Sequence, residues 1–452
     1  MQTIVLFRSL FLTFMLSGAH GTLWAQVELS TDLAPTPFWV APAGCAMAHC
    51  DPQMSDLVNM LPPPGPSVIL RAHDTLSVGS GIGLGCSSNG VTAVCSYKSA
   101  SGDAVVAYGP GGKRLWTSGT ALGASAYMSA PMIDAQGSVI TADKSHVVRF
   151  SARGKPVWFV PSAGGYPISP VQTSNGAIFL ATAGGPVSAY DSLSGAQLGS
   201  LYLYQAGQGG SYFDTVNTPC VAGNRAYVLA QLTATTSVTG RLYAIDIDAS
   251  NAAQPLSIAW YWEFGGPSGA SPSCTGGAVV FDGASLHPGG PLSPTLFALR
   301  DDGSHATLLW SQSVVNSVPA SVAHDPRGGV WVISAGYPRV ERRSESTGLL
   351  IDSISVPALL NDGTNYIPSS ALTLAGTATR PVLITGAIQT DGLRAKVIAI
   401  DLASRSLLWS YDLTPATGTE NTAGQFPIIT DPNGHPVVVF TGRTTGAYFI
   451  SQ

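Results

Sequence analysis

The chain has 452 residues, of which only 10% are charged, against about a quarter in an average soluble domain. Its formal net charge is −5, and because phosphate binding needs clustered Lys and Arg, nucleic acid is excluded as a partner. The 51 glycines and 32 prolines are typical of a turn-dense all-β chain and exclude a mainly helical one.

The first residues have the composition of a secretory signal peptide. Arg8 is the only charge before an apolar run that ends at Leu16. That run is too short to cross a bilayer core of about 30 Å, and no later stretch is long enough, so we predict no transmembrane segment. Cleavage after Ala25, or alternatively after Gly21, is expected. No Asn-x-Ser/Thr sequon occurs, which favours a bacterial source. We therefore expect residues 1–25 to be removed and the protein to be periplasmic or secreted.

Residues 26–66 are predicted to form an N-terminal extension that ends in a Pro-rich linker. The extension contains a short loop with Cys45, Met47, His49 and Cys50, whose sulfur and imidazole groups suit copper or another transition metal. In an oxidising compartment a disulfide between the two cysteines is the competing interpretation. We favour the disulfide, because it removes the thiolates that a metal needs.

A hairpin phrase recurs along the rest of the chain. It consists of an alternating apolar run, a short polar turn, and a second run that ends in Trp or a bulky aliphatic residue. The clearest copies are Lys396–Asp401 with Leu407–Trp409, and Val147–Phe150 with Gly154–Trp158. Period-2 alternation on both sides of a turn predicts a β-hairpin. A proline-opened run and a second apolar run precede each hairpin, as at Pro131, so each unit is predicted to have four strands.

Repeated four-stranded units predict a β-propeller, because one such sheet cannot bury both of its faces alone. The units number eight, or seven if the first is irregular. The last one, Gly446–Ile450, lacks its second strand, and an open ring would leave an unpaired edge. We therefore predict that the N-terminal run Ser67–Leu70 completes the C-terminal blade and that the propeller spans residues 67–452.

The other four cysteines are expected to form two further disulfides. Cys86 and Cys95 flank an Asn-Gly turn signal, so this pair could staple a hairpin. Cys220 and Cys274 follow the opening prolines of neighbouring units and could link adjacent blades near the axis. The sequence alone also permits other pairings.

The loops that lead into each innermost strand are the candidate ligand site, because such loops converge at the mouth of the central channel. They are rich in aromatic and polar residues. The candidates are Tyr127, Tyr166, Asp214, Asn217, Asp362, Asn365, Glu420 and Asn421. The competing interpretation is that the Asp and Asn residues only form turns and that the Tyr residues cover blade ends. No nucleophile elbow, phosphate loop or zinc-ligand spacing is present, so we assign no catalytic residue.

The segment from Val397 to Asp412 resembles the quinoprotein, or pyrroloquinoline-quinone (PQQ)-type, repeat, in which an Ala-x-Asp phrase and a turn precede a Trp. The resemblance extends over most of the chain and implies a propeller whose Trp side chains dock between blades. The matching residues are Trp116, Trp158, Trp260, Trp310 and Trp409. Leu198 and Ile351 depart from the pattern. Repeats of this kind are specific for a fold but not for a function.

Two functions compete within that superfamily. Its alcohol dehydrogenases hold PQQ and calcium beside a vicinal Cys-Cys disulfide, and this chain has no adjacent cysteines. Non-catalytic relatives, such as the barrel-assembly lipoprotein of the bacterial outer membrane, bind proteins, but no lipid-attachment Cys follows the predicted signal here. We expect an exported, non-catalytic binding scaffold without a cofactor, which takes a protein partner or a small molecule at the mouth. A PQQ- and calcium-dependent enzyme and a metal-binding protein using Cys45–Met54 are the alternatives.

Overall fold

The computed structural model describes residues 44–75, 82–99, 102–203, 213–215, 217–233, 238–266, 268–283, 295–314, 322–369, 371–392, 394–413, 422–442 and 446–452. The predicted signal peptide lies outside these residues. The elements are mainly antiparallel strands that assemble, largely four at a time, into eight blades. The eight-bladed propeller is therefore confirmed, and the alternative of seven blades is wrong.

The first four blades follow one another along the chain, each from its innermost to its outermost strand. Blade 1 consists of Ile82–Ser88, Ala93–Ser99, Gly102–Tyr108 and Arg114–Thr117, and blade 2 of Met132–Ile133, Val139–Ala142, His146–Phe150 and Pro156–Pro161. Blade 3 consists of Val171–Gln172, Ala177–Leu180, Val187–Asp191 and Gln197–Leu201, and a two-stranded extension pairs Tyr166–Pro167 with Thr182–Ala183. Blade 4 consists of Asp214–Thr215 with Cys220–Ala222, then Arg225–Thr233, Val238–Ile247 and Leu256–Gly265.

The other four blades repeat the plan with local departures. Blade 5 consists of Ala278–Asp282, Leu296–Asp301 and Ala306–Gln312, and its innermost strand is reduced to a bridge between Ser273 and Val280. Blade 6 consists of Ala323–His324, Val330–Ser334, Arg339–Arg343 and Leu350–Ser355. Blade 7 consists of Thr373–Thr377, Arg380–Gln389, Ala395–Asp401 and Ser406–Asp412, joined by Tyr366–Pro368 and by Leu57–Val58. Blade 8 consists of Thr422–Ala423 with Ile428–Thr430, then Pro436–Gly442, Gly446–Ser451 and Ile69–Asp74. Among the described residues the helices are Val356–Leu360 and the 3-10 turns Gly119–Ala121, Ala126–Met128 and Thr275–Gly277.

An N-terminal strand closes the ring, as the truncated last unit predicts. Ile69–Asp74 pairs antiparallel with Gly446–Ser451 and becomes the outermost strand of blade 8. It begins two residues after the start of the run identified in the sequence. The preceding Pro-rich stretch is still in contact with blade 7, where the carbonyl of Pro63 accepts a hydrogen bond from Trp409 Nε1 at 2.9 Å.

Side chains reinforce this closure between blades 8 and 1. Asp74, at the end of the closing strand, accepts hydrogen bonds from the guanidinium of Arg114 and, at 2.9 Å, from the hydroxyl of Tyr108. The Tyr108 hydroxyl lies 2.6 Å from that of Tyr97, and both rings are buried. The last blade is thus fastened to the first by a hydrogen-bonded chain as well as by the strand ladder.

Four of the five repeated tryptophans, all except Trp409, lie against the turn between the third and fourth strands of the next blade. Trp116 Nε1 donates to the carbonyl of Ala152 at 3.0 Å, and Trp158 Nε1 donates to that of Ser192 at 3.2 Å. Trp310 reaches Glu345 O in the same way, whereas Trp260 donates to the carboxylate of Asp301. The indole N–H groups therefore find acceptors although the rings pack between sheets.

Candidate functional site

Residues 44–60, which we call the plug, fill the central channel. Their carbonyl oxygens accept hydrogen bonds from backbone N–H groups on the inner strands of six blades. The donor and acceptor residues are Ser88 to Cys45 (2.6 Å), Ile133 to Ala46 (2.7 Å), Val221 to Pro52 (2.6 Å), Cys274 to Gln53 (3.0 Å), His324 to Ser55 (2.9 Å) and Leu374 to Asp56 (2.8 Å). Blade 8 takes part through the side chain of Gln425, which donates to Met47 O at 3.1 Å. Because buried N–H groups need acceptors, the plug satisfies the inner edge of the ring.

The plug is folded tightly upon itself. A disulfide joins Cys45 to Cys50, and Nδ1 of His49 lies 3.0 Å from a carboxylate oxygen of the fully buried Asp56. Non-glycine residues with left-handed φ are concentrated here, namely His49, Cys50, Met54 and Asp56, with φ between 53° and 75°. Such backbone conformations persist only where surrounding contacts hold them, and here the inner strands supply those contacts.

Both ends of the plug leave the channel on the side opposite the mouth. Gly44 lies against Ser88 and Gly90, where the inner strand of blade 1 ends. At the other end, the N–H of Gly376 donates to Met60 O at 2.8 Å, near the end of the inner strand of blade 7. Inner strands start at the mouth. Both ends of the plug therefore lie at the opposite end of the channel, where they do not cover the mouth loops.

The plug does not offer the metal site that its composition suggested. The sulfurs of Cys45 and Cys50 are bonded to each other, so they are not thiolates. His49 is occupied by Asp56, and Met47 is fully buried in the apolar layer between blades. Within the described ranges, no group of three or more His, Cys, Asp or Glu side chains could hold a metal ion. This arrangement favours the disulfide interpretation of the segment over the metal interpretation.

The structure contains two of the three disulfides proposed from the sequence. Cys86 and Cys95 lie opposite each other on neighbouring strands of blade 1 and are bonded, as are the two plug cysteines. The expected bond between Cys220 and Cys274 is absent, and both are buried free thiols. They nevertheless lie in contact between blades 4 and 5, because inner strands of adjacent blades approach each other at the axis.

Tyr127 lies at the mouth, in the helical turn Ala126–Met128 that leads into blade 2. The ammonium of Lys98, at the end of the second strand of blade 1, lies 5.1 Å from the centre of its ring. Asp103 fixes the turn, because its carboxylate accepts backbone hydrogen bonds from Tyr127 and its two predecessors. Burial raises the pKa of this carboxyl group. The position of Tyr127 is thus set by a buried acid on the neighbouring blade.

Tyr166 and Asp214 meet around one turn of blade 3. Tyr166 pairs with Ala183 and is 45% exposed, and Lys144 Nζ lies 4.7 Å from the centre of its ring. The carboxylate of Asp214 accepts the N–H of Gly184 in the same turn. We call the row over blades 2 to 4 the mouth row. It consists of Tyr127 with Lys98, Tyr166 with Lys144, and Asp214.

The remaining candidates do not join this row. Asn217 donates to Gly269 O at 2.7 Å and so ties two loops together. Asp362 and Asn365 lie in a separate sector at blade 7, where Lys396 Nζ is 3.9 Å from Asp362. Glu420 and Asn421 lie outside the described residues.

Lys98, Lys144 and Asp103 contact the candidate residues Tyr127 and Tyr166 but are not among the candidates identified from the sequence. The two lysines lie at the turns between second and third strands, which in an antiparallel blade share an end with the loops that enter the inner strands. The sequence candidates come only from the loops before the prolines. The direction of successive strands through one blade is the sequence signal that places these two turns at the mouth as well.

Comparison with protein families places most of the propeller in one family. A family model described as outer membrane protein assembly factor BamB matches residues 66–306, more than half of the chain. Comparison with curated proteins gave no significant match.

Solved structures share the fold at low sequence identity. The quinohemoprotein alcohol dehydrogenase from Comamonas testosteroni is 11% identical with a TM-score of 0.60, over 91% of this chain and 80% of that one. The C-terminal WD40 domain of Sif2 is 11% identical with a TM-score of 0.55, over 86% and 99% of the two chains. BamB from Moraxella catarrhalis is 16% identical with a TM-score of 0.46, over 73% and 93%. At these identities the first two likenesses support the propeller fold alone.

The residues at the axis do not fit a quinone held in the way the PQQ-type resemblance implies. No two cysteines are adjacent in the sequence. The hydrogen-bonding edges of the inner strands are already used by the plug. We therefore derive no chemical step from PQQ or calcium.

In the described part of the chain, no helix has the length and apolar character needed to cross a bilayer.

Proposed function

Because the chain belongs to the family described as outer membrane protein assembly factor BamB, we propose that it is an exported, non-catalytic binding scaffold whose protein partner binds at the mouth row. Family membership supports the protein-binding role, since fold alone does not define one. The plug supports a partner site at the mouth. It occupies the channel and reaches it from the opposite side, so the mouth remains as the concave surface for a partner.

The mouth row carries the proposal. Two consecutive blades each present a tyrosine with a lysine ammonium over its ring, Lys98 with Tyr127 and Lys144 with Tyr166. Tyrosine combines a large apolar face with a polar tip and is enriched at protein interfaces. The lysines hold the rings in place through cation–π attraction of about 0.5–1 kcal/mol at exposed sites. A partner would therefore meet a preordered aromatic strip.

Export is supported by the two disulfides, Cys45–Cys50 and Cys86–Cys95. Disulfides persist in the bacterial periplasm and outside the cell, and they are rare in the reducing cytosol. We propose that the mature protein acts in the periplasm or as a secreted protein after loss of residues 1–25. N-terminal sequencing of the protein purified from envelope and culture medium would test both the cleavage and the compartment.

Site-specific photo-crosslinking tests the mouth row. Benzoylphenylalanine replaces Tyr166 in one full-length variant and Tyr337 in a matched control, and each is irradiated in intact native cells. Tyr337 is also exposed and also lies under a cation, Arg339 at 4.7 Å, but it belongs to blade 6. We expect one defined protein adduct at position 166, weakened by Lys144→Ala, and none at position 337. The same adducts at both positions, or none at 166, would contradict the proposal.

A further inference from the structure

Cys220 and Cys274 face each other between blades 4 and 5, directly beside the axis. Cys220 begins the inner strand Cys220–Ala222, and Cys274 lies two residues after the proline that opens blade 5. Their exposed fractions are 0% and 4%, and the two thiols are in hydrogen-bond contact. Among the cysteines of the chain, these are the two that carry free thiols.

The plug covers this pair of thiols. The N–H of Val221, next to Cys220, donates to Pro52 O at 2.6 Å, and the N–H of Cys274 donates to Gln53 O at 3.0 Å. The hydroxyl of Ser273 also donates to Gln53 O, at 3.1 Å. A bond between the two sulfurs would therefore join the two inner strands on which residues 52 and 53 rest.

The surroundings favour a disulfide over a metal complex at this position. Metal ligation requires both thiolates to persist in the folded protein, whereas disulfide exchange needs only one thiolate, and only transiently. Burial, the neighbouring Cys274 and the carboxylate of Asp51 all raise the pKa of the Cys220 thiol. The pair also belongs to an apolar cluster that includes Met47 and Met54 of the plug. A disulfide carries no charge, so it suits an apolar layer that a thiolate–metal complex would not.

We propose that Cys220 and Cys274 form an oxidisable dithiol that becomes an interblade disulfide, and that the plug controls access to it. The oxidant is a disulfide compound, either glutathione disulfide or a disulfide-bearing oxidoreductase. A thiolate at one cysteine attacks the oxidant, one oxidant sulfur leaves as a thiolate, and the second cysteine then attacks the mixed disulfide. The two cysteines lose two electrons and two protons, and the oxidant is reduced to two thiols. The second attack is intramolecular and releases the remaining oxidant sulfur as a thiolate, so the first attack is the step that needs access, and the closed plug denies it.

Thiol mapping of the full chain tests the bond itself. The protein is incubated with glutathione disulfide, unfolded in the presence of N-ethylmaleimide, and digested without reduction. We expect the Cys220 and Cys274 peptides to be alkylated before oxidation and linked to each other after it, and protein isolated already linked gives the same support. Peptides that remain alkylated after prolonged oxidation, or that carry glutathione without a 220–274 link, would overturn the proposal.

A rate comparison tests the control by the plug. Cys45→Ser/Cys50→Ser removes the disulfide that holds the plug together, and Cys86→Ser/Cys95→Ser removes one from blade 1, across the ring from blades 4 and 5. We expect oxidation of the 220–274 pair to become several-fold faster in the first variant and to stay unchanged in the second. Equal rates in both variants and the parent chain would show that the plug does not limit access. If the first variant fails to fold, the mapping of the unmodified chain still decides whether the bond forms.

Discussion

Glycine in the turn between the third and fourth strands makes room for the tryptophan of the preceding blade. Gly154 and Gly195 both have φ of 75°, in the left-handed region that favours glycine. A Cβ atom on Gly154 would lie 2.5 Å from the Trp116 ring, and one on Gly195 would lie 2.7 Å from the Trp158 ring. The Gly in one unit of the repeat and the Trp in the unit before it are therefore parts of one contact.

Gly195→Ala tests this contact. We expect it to lower the free energy of unfolding by about 2–4 kcal/mol, because it adds backbone strain and overlap with Trp158. Gly434→Ala is the matched control, since Gly434 has φ of 84° but open space around a Cβ, and its expected loss is about 1 kcal/mol. Urea unfolding curves of the two variants give the comparison. Equal losses would mean that the ring contact contributes nothing.

Asp103, the buried acid that fixes Tyr127, makes stability depend on pH. Burial raises its pKa above the ordinary value of 3.8, so the folded state holds this proton more tightly than the unfolded state. Ionisation in the folded state therefore costs stability as the pH rises from below 3.8 through the raised pKa.

Asp103→Asn keeps one acceptor oxygen for the turn and removes the ionisation. We expect the Tm of the variant, relative to that of the parent chain, to be higher near neutral pH than in acid below the ordinary pKa of Asp. Paired thermal melts at the two pH values give this difference. A difference that is constant, or that falls as the pH rises, would contradict the assigned protonation.

At the scale of elements, the closing strand depends on its side chains as well as on its ladder. Asp74→Ala leaves the buried hydroxyl of Tyr108 and the guanidinium of Arg114 without their shared acceptor, so we expect a loss of about 2–4 kcal/mol. Asp302→Ala is the control, because it removes a solvent-exposed carboxylate that pairs with Arg300 and accepts from Thr307, and water screens such exposed contacts so that their loss changes stability little. Chemical unfolding measures both. Losses of similar size would show that the Asp74 contacts add nothing to the closure between blades 8 and 1.

The hairpins and the closing strand could be predicted because their signals are local. Alternation within Val147–Phe150 and the glycine at 154 identify strands and a turn without reference to the rest of the chain. The truncated unit at Gly446–Ile450 predicted a partner strand, since a ring with an open edge is unfavourable. The closing strand begins at Ile69 and not at the predicted Ser67. The Pro-rich stretch before it contacts blade 7 instead of pairing in blade 8.

The plug could not be predicted because its contacts are made by backbone carbonyls. Hydrogen bonds such as Pro52 O to Val221 N connect distant parts of the chain and leave no side-chain pattern. The cysteines, Met47 and His49 instead suggested ligands for a metal. The sequence identifies the tyrosines and Asp214 of the mouth row but not its lysines. Lys98 and Lys144 belong to turns that reach the mouth only because of the direction of each strand.

At the scale of the whole molecule, the plug and the closing strand make the N-terminal segment part of every sector of the ring except blade 3, for which no direct hydrogen bond to the plug is described. The segment from Cys45 to Asp74 crosses the channel, rests against Trp409 and completes blade 8. It therefore fills the channel at the axis, and the loops at the mouth remain the surface at which we propose that a partner binds.

Reconstitution with PQQ and calcium tests the enzyme alternative. We expect no quinone-dependent reduction of an artificial electron-acceptor dye with alcohols or sugars as substrates, because the inner edges of the blades are already bonded to the plug. A catalytic quinoprotein treated in the same way serves as the positive control. Clear quinone-dependent dye reduction would replace the binding scaffold with an oxidoreductase.

Hydrogen–deuterium exchange of the plug tests the central claim most directly. If residues 44–60 fill the channel, the N–H of Asp56, which donates to His49 O at 3.0 Å, and the N–H groups of Val221, His324 and Leu374 are sealed inside the ring. We predict that peptides covering the plug and these inner strands exchange as slowly as the long strands Arg225–Thr233 and Arg380–Gln389. Plug peptides that exchange as fast as an unstructured chain would contradict this prediction and show that residues 44–60 do not fill the channel.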